Sequence, residues 1–132
     1  MFLNKLSEIE KVAFLELAHH VARRDNDFLD IEKEMIRAYC TEMQINDIDY
    51  NENQFDIDDT LAKIQDTQSR RIVTLEIMAI IYADNILHEE EQKVIEIMLE
   101  KFGLNHHWST VYSEWTKAIL ALYAQGNALI EL

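Results

Sequence analysis

The chain contains no proline, only two glycines (Gly103 and Gly126) and a single cysteine among its 132 residues. Without proline and with so little glycine, few positions interrupt a helix, and the turn chemistry that strings short strands together is scarce. The lone Cys40 excludes an internal disulfide. Its spacing to Ile36 and Met43 marks it as a small apolar residue on a helix rather than a nucleophile. Basic residues are also few: 12 Lys and Arg stand against 25 Asp and Glu, for a formal charge of −13. Such a chain lacks the clustered cations that displace counterions from nucleic acid, so nucleic-acid binding is not expected. The same charge opposes unaided adsorption to anionic lipid, and leaves divalent cations, basic peptides and cationic surfaces as partners. Long apolar runs are missing as well. The longest, residues 77–83, is far too short to cross a bilayer. The opening Met1-Phe2-Leu3-Asn4-Lys5-Leu6 lacks the charged and apolar regions of a secretory leader. The expectation is a cytoplasmic protein with no direct membrane insertion.

What the sequence does contain is one acidic helix–loop–helix pattern written twice, 59 residues apart. The first copy reads Asp25-Asn26-Asp27-Phe28-Leu29-Asp30-Ile31-Glu32, then Met35 and Ile36; the second reads Asp84-Asn85-Ile86-Leu87-His88-Glu89-Glu90-Glu91, then Val94 and Ile95. Asp25 aligns with Asp84, Asn26 with Asn85, Glu32 with Glu91 and Ile36 with Ile95 without a gap. Upstream the match continues as the apolar pairs Phe14 and Val73, Ala18 and Ile77, Val21 and Ile80, Ala22 and Ile81. Only four identities occur between residues 14–45 and 73–104, so the duplication is one of pattern.

Apolar periodicity places six helices on the chain. Ser7-Glu8-Ile9-Glu10 has the form of a capping box, which starts a helix near residue 8. Val12, Leu15, Ala18 and Ala22, widened by Phe14, Leu17 and Val21, carry it to residue 24 or 25. A second helix spans about residues 30–44 with Ile31, Met35, Ile36, Tyr39, Cys40 and Met43 inward; residues 46–56 are an acidic loop; a short helix covers 58–66. The most apolar helix, about 68–83, is expected to be buried on most sides. The next, about 88–101, ends before Gly103, and the last, about 105–125, ends at Gly126, with a short extra turn near Leu129. Trp108, Tyr112, Trp115, Ile119 and Leu122 form a stripe on that last helix, read chiefly as core and otherwise as a partner-binding or dimer face.

The paired turns resemble those of the TerB-like proteins associated with tellurite resistance and related stress responses. In that family each half carries a helix ending in Ala-Asp-Gly, followed by a glutamate in the first turn of the next helix. Here Ala83-Asp84-Asn85-Ile86-Leu87 with Glu91 matches, with Asn in place of Gly, and Arg24-Asp25-Asn26-Asp27-Phe28 with Glu32 matches more loosely. The likeness covers about residues 8–104, and Leu29 and His88 stand where the family often has a capping Ser or Asp. It implies a compact helical fold with internal pseudo-symmetry, acidic residues that bind metal, and work beside membrane-associated partners.

Taken by themselves, the residues support a cation site at Asp25, Glu32, Asp84 and Glu91, with Asp27, Asp30 and Glu89 as secondary donors. Carboxylates at a loop between helices suit a hard divalent cation, Ca²⁺ or Mn²⁺. The same acids also cap free N–H groups and complement helix dipoles without any metal. Asp47 to Asp58 has the acidic spacing of an EF-hand but Glu52 where the sharp-turning glycine belongs, so it reads as a solvated loop. Glu16-Leu17-Ala18-His19 has di-iron spacing, but the glutamate that the second half offers, Glu76, has Ala79 instead of histidine three residues on. His19 and His20 lack the adjacent His-Asp pair of a metal phosphohydrolase, and are read as one solvent-facing and one core-edge residue. The expectation is one all-α domain: a bundle of six to seven helices, with repeat halves at about 8–45 and 68–104, a C-terminal helix at 105–125 and internal pseudo-two-fold symmetry. Its expected role is a non-catalytic, cation-binding module that docks to proteins, with a homodimer among the possible assemblies. The alternatives are a metal-independent acidic interaction domain and, less favoured, a helical metalloenzyme.

Overall fold

The computed structural model describes residues 1–24, 28, 30–83 and 88–132. A short 3-10 turn, Leu3–Lys5, precedes six helices: α1 (Glu8–Ala22), α2 (Asp30–Met43), α3 (Ile57–Ala62), α4 (Thr67–Ile81), α5 (Glu89–Phe102) and α6 (His106–Ile130). No strand occurs among the described residues. The fold is an all-helical bundle, and none of its described helices is long and apolar enough to cross a membrane.

The 59-residue offset of the acidic turns is also the offset of the helices. Both ends of α1 map onto both ends of α4, and both ends of α2 onto both ends of α5. The N-termini of α1 and α4 share one device, and the C-termini of α2 and α5 another. Ser7 caps α1 by accepting the Glu10 N–H, and Asp66 caps α4 by accepting the Ser69 N–H. After α2 the N–H groups of Gln44 and Ile45 return to the carbonyls of Thr41 and Cys40; after α5 those of Gly103 and Leu104 return to Glu100 and Leu99. This is a Schellman-type closure, and it needs a left-handed residue. Gln44 (φ 57°) and Gly103 (φ 70°) supply it.

α1 and α4 pack against each other at the centre, with α2 on α1 and α5 on α4. Phe14, Ala18, Val21 and Ala22 and their counterparts Val73, Ile77, Ile80 and Ile81 are all buried, so the duplicated stripe is the core. Each large side chain so buried contributes about 1.5–3 kcal/mol relative to exposure. Phe14 meets the ring of Tyr39 edge-on at 5.2 Å, tying α1 to α2. At the first turns of α1 and α4, Ser69 Oγ donates to Glu10 Oε1 at 3.0 Å, satisfying a buried carboxylate across the central pair. The Met1 amino group sits between Glu42 (2.9 Å) and the buried Glu76 (2.8 Å), while the Phe2 N–H donates to Glu76 and the Leu3 N–H to Glu42. Burial pulls that ammonium's pKa down, but the two carboxylates outweigh it and hold the value above its ordinary level.

Several expectations need correction. Val12 and Ile31, assigned to inward stripes, are exposed. α3 ends at Ala62, four residues early, although Leu61 and Ile64 are buried as expected. Gly126 does not stop the last helix, which runs on to Ile130. One glycine costs a helix interior about 1 kcal/mol relative to alanine, and the helix continues through Asn127, Ala128, Leu129 and Ile130 regardless. The aromatic stripe of α6 is core only in part: Tyr112 packs half-buried against the core and Ile119 is half-buried, but Trp108, Trp115 and Leu122 are exposed, and Thr116 is the one fully buried residue of the helix.

Candidate functional site

The first turns of α2 and α5 hold the glutamates singled out by the repeat. Glu32 and Glu91 are both buried, at 6% and 5% exposure. In α2 the polarity is inverted relative to expectation, since Ile31 is 49% exposed while the carboxylate beside it turns inward. Burying a carboxylate costs free energy unless it is partnered, and Glu91 accepts the His88 N–H at 3.2 Å. The helix N-terminus adds a favourable dipole to both. The secondary donors point elsewhere. Asp30 is solvent-exposed with Lys33 Nζ at 3.8 Å, and Glu89 is exposed. Asp25, Asp27 and Asp84 lie outside the described residues. Among the described residues, no three of His, Cys, Asp and Glu form a group able to hold a metal ion. A hard cation takes six or more oxygens, so each glutamate needs donors from its adjoining turn.

The loop after α2 is strapped to α1 by the two histidines. His19, buried, bonds Asp47 Oδ1 through Nε2 at 2.7 Å and stacks on Tyr50 with 5.7 Å between ring centres. His20 bonds the Tyr50 hydroxyl through Nδ1 at 3.1 Å and stacks on Phe55 at 4.2 Å. Burial, reinforced by the Arg24 guanidinium, lowers the His20 pKa to about 4 and leaves the ring neutral at pH 7. Neither histidine faces solvent freely, so the reading of one as an outward residue is corrected. Glu16 turns away from His19 to accept the Thr60 hydroxyl at 2.9 Å, with Lys63 Nζ at 3.6 Å. The residues of the Glu16–His19 motif are therefore engaged with different partners.

The remaining acids of the loop are dispersed among separate neighbours. Glu52 pairs with Arg24 at 2.7 Å, Asp56 caps α3 through the Asp59 N–H, and Asp58 meets Lys101 at 3.6 Å. Cys40 is half-buried against the core, and burial with Asp47 nearby pushes its thiol pKa up, away from thiolate chemistry.

One feature had no signal in the sequence. A recess of about 430 Å³ beside the loop gathers Arg23, Lys33 and Arg37 with Phe28 and Tyr50. The Arg23 guanidinium lies 4.2 Å from the Phe28 ring centre and 5.4 Å from that of Tyr50, a cation–π arrangement. Asp47 and Asp49 line the same recess and nearly balance its charge. The members named come from α2 and from the loops on either side of it, and no spacing rule joins them. Comparison with protein-family models, with curated proteins and with solved structures finds no match to this chain.

Proposed function

We propose that the chain is a non-catalytic TerB-like module whose two acidic turns bind a divalent cation, Ca²⁺ or Mn²⁺, and which acts by docking to other proteins. The observation that carries this reading is the paired burial of Glu32 and Glu91 at matching places in the two helix–turn–helix units. At the first of them an apolar neighbour stays in solvent while the carboxylate is buried. Burial of a carboxylate is tolerated when it is partnered, and a cation at the turn would engage both glutamates in the same way. Asp25 and Asp84, the acids that start each turn, stand seven residues before the two glutamates and are the further donors of this reading. By resemblance to the TerB-like proteins, the partners include membrane-associated proteins of a stress response.

The second reading is a metal-independent interaction domain, favoured by the His88 N–H that already occupies one oxygen of Glu91. Thermal unfolding separates the two. The protein is melted in EDTA and then in Ca²⁺, Mg²⁺, Mn²⁺ or Zn²⁺, as wild type and as the double variant Asp84→Asn/Glu91→Gln. A cation present at 100 times its Kd stabilises the native state by about 2.7 kcal/mol, a rise in Tm on the order of 10 °C for a chain of this length. A rise with Ca²⁺ or Mn²⁺ that vanishes in the variant supports the cation site. No rise, or the same rise in both proteins, leaves the glutamates as helix caps and the chain as an acidic docking domain.

A further inference from the structure

The C-terminal half of α6 leaves the body of the molecule. Its first half is held down: Tyr82 Oη and Ser113 Oγ lie 3.0 Å apart, Phe2 packs against Trp115, and Thr116 is buried. From residue 121 onward every position is exposed apart from the half-buried Gly126. A helix of 25 residues is about 37 Å long, so roughly half of that length stands in solvent.

Five of the seven large exposed apolar residues on this helix are ordered, with Tyr123 and Ile130 outside the pattern. Trp108, Trp115, Leu122 and Leu129 recur every seven residues, and all four are exposed, at 44%, 40%, 59% and 69%. Val111, Ala118 and Gln125 follow each of the first three by three residues and are exposed too. A 3–4 spacing sustained over three heptads is the seam of a coiled coil, not the broader stripe that packs a helix onto a globular core. The seam has the wrong charge for a basic partner. Residues 118–130 contain no Asp, Glu, Lys, Arg or His, and the one glutamate within α6, Glu114, pairs with Lys117 at 3.7 Å. In a chain of net charge −13, this is the long face where another −13 body can approach without acid meeting acid.

We propose that α6 is a dimerisation helix whose occupant is α6 of a second copy, paired antiparallel about a two-fold axis. The antiparallel sense follows from where the acidic bodies sit. Each is attached to the first half of α6, so parallel pairing sets two −13 bodies side by side, whereas antiparallel pairing places them at opposite ends. It also opposes the helix dipoles and sets Trp115 across from Gln125 and Ala118 across from Leu122, large against small. Pairing along the whole helix gives a contact of standard size, roughly 800 Å² per partner, with the self-complementary geometry of an isologous dimer. The assembly is independent of any cation at the acidic turns.

Sedimentation equilibrium of the full chain at up to about 100 µM tests the proposal. The expected mass is twice 15.6 kDa. The variant Leu122→Lys/Leu129→Lys changes only exposed side chains; it is expected to keep its helical circular dichroism and to weaken association at least about tenfold. In a Cys40→Ser background, a mixture of Ala118→Cys and Leu122→Cys proteins is expected to form the mixed disulfide in preference to either self-pair. A monomer throughout the concentration range overturns the proposal, as does a dimer that survives the double lysine variant. Preferential self-pairing of the Ala118→Cys protein overturns the antiparallel arrangement. Monomeric protein that instead sediments with phosphatidylcholine vesicles through the same leucines overturns it in favour of lipid.

Discussion

Gln44 and Gly103 occupy one position of the repeat, and both close a helix with a left-handed backbone. Only one of them is suited to it. A side chain in that conformation costs about 1–2 kcal/mol, which glycine escapes. Gln44→Gly is therefore expected to raise stability by about 1 kcal/mol in urea denaturation, and Gly103→Ala to lower it by about 1 kcal/mol. At Gly103 an added Cβ meets no atom within 4 Å, so backbone conformation alone sets that cost. A neutral or harmful Gln44→Gly means the glutamine side chain makes up the difference. Gly103 was legible as a helix stop, because glycine advertises the conformation. Gln44 was not, since nothing in a glutamine announces a left-handed turn, and only the register of the repeat reveals it.

At the scale of elements, the loop after α2 depends on neutral imidazole. His20 folds with its pKa at about 4 against 6.5 in a model peptide, so between those values the unfolded chain holds the proton and the native chain does not. This contribution is fully present above pH 6.5 and is lost as the pH falls towards 4. A shift of that size has a ceiling of about 3 kcal/mol, and partial exposure to solvent reduces it to about 1 kcal/mol. Wild type is thus expected to lose about 1 kcal/mol more than His20→Gln when urea unfolding at pH 7 is compared with pH 4.5. Equal losses would show that the ring bears no such penalty. The strap itself was invisible in the sequence: His19 and His20 meet Asp47 and Tyr50 some 30 residues away, and separation of that order leaves no periodic trace. The capping box at Ser7 and the duplicated helices were legible, because their signals lie within a few residues of each other.

For the whole molecule the dominant fact is an unbalanced charge of −13. Surface pairs one helical turn apart, such as Lys93 with Glu90 at 3.0 Å, contribute little and lose little when screened. Repulsion among the excess carboxylates acts over the whole body, and raising ionic strength from 0.1 to 1 M shortens its range from about 10 to about 3 Å. Tm is accordingly expected to rise by several degrees between those two salt concentrations. A fall in Tm would mean that the attractive pairs outweigh the net charge. Association through α6 is expected to strengthen over the same range, since the seam is uncharged and the bodies that flank it are not.

Local spacing sufficed for the helical class, the position of the repeat and most of the core: apolar residues three and four apart, a cap three residues before its partner, and Gly103, though not Gly126, at a stop. It also determined that Glu32 and Glu91 correspond. Tertiary structure alone decided which way these residues face. It turned Glu32 inward and Ile31 outward, sent Glu16 and His19 to separate partners, and carried α6 beyond the body with its heptad uncovered. The physical reason is the same in each case. A helix's periodicity specifies that it has an apolar face, but whether that face is covered depends on the elements that chain geometry brings alongside it, and beside the far half of α6 none of the described elements arrives.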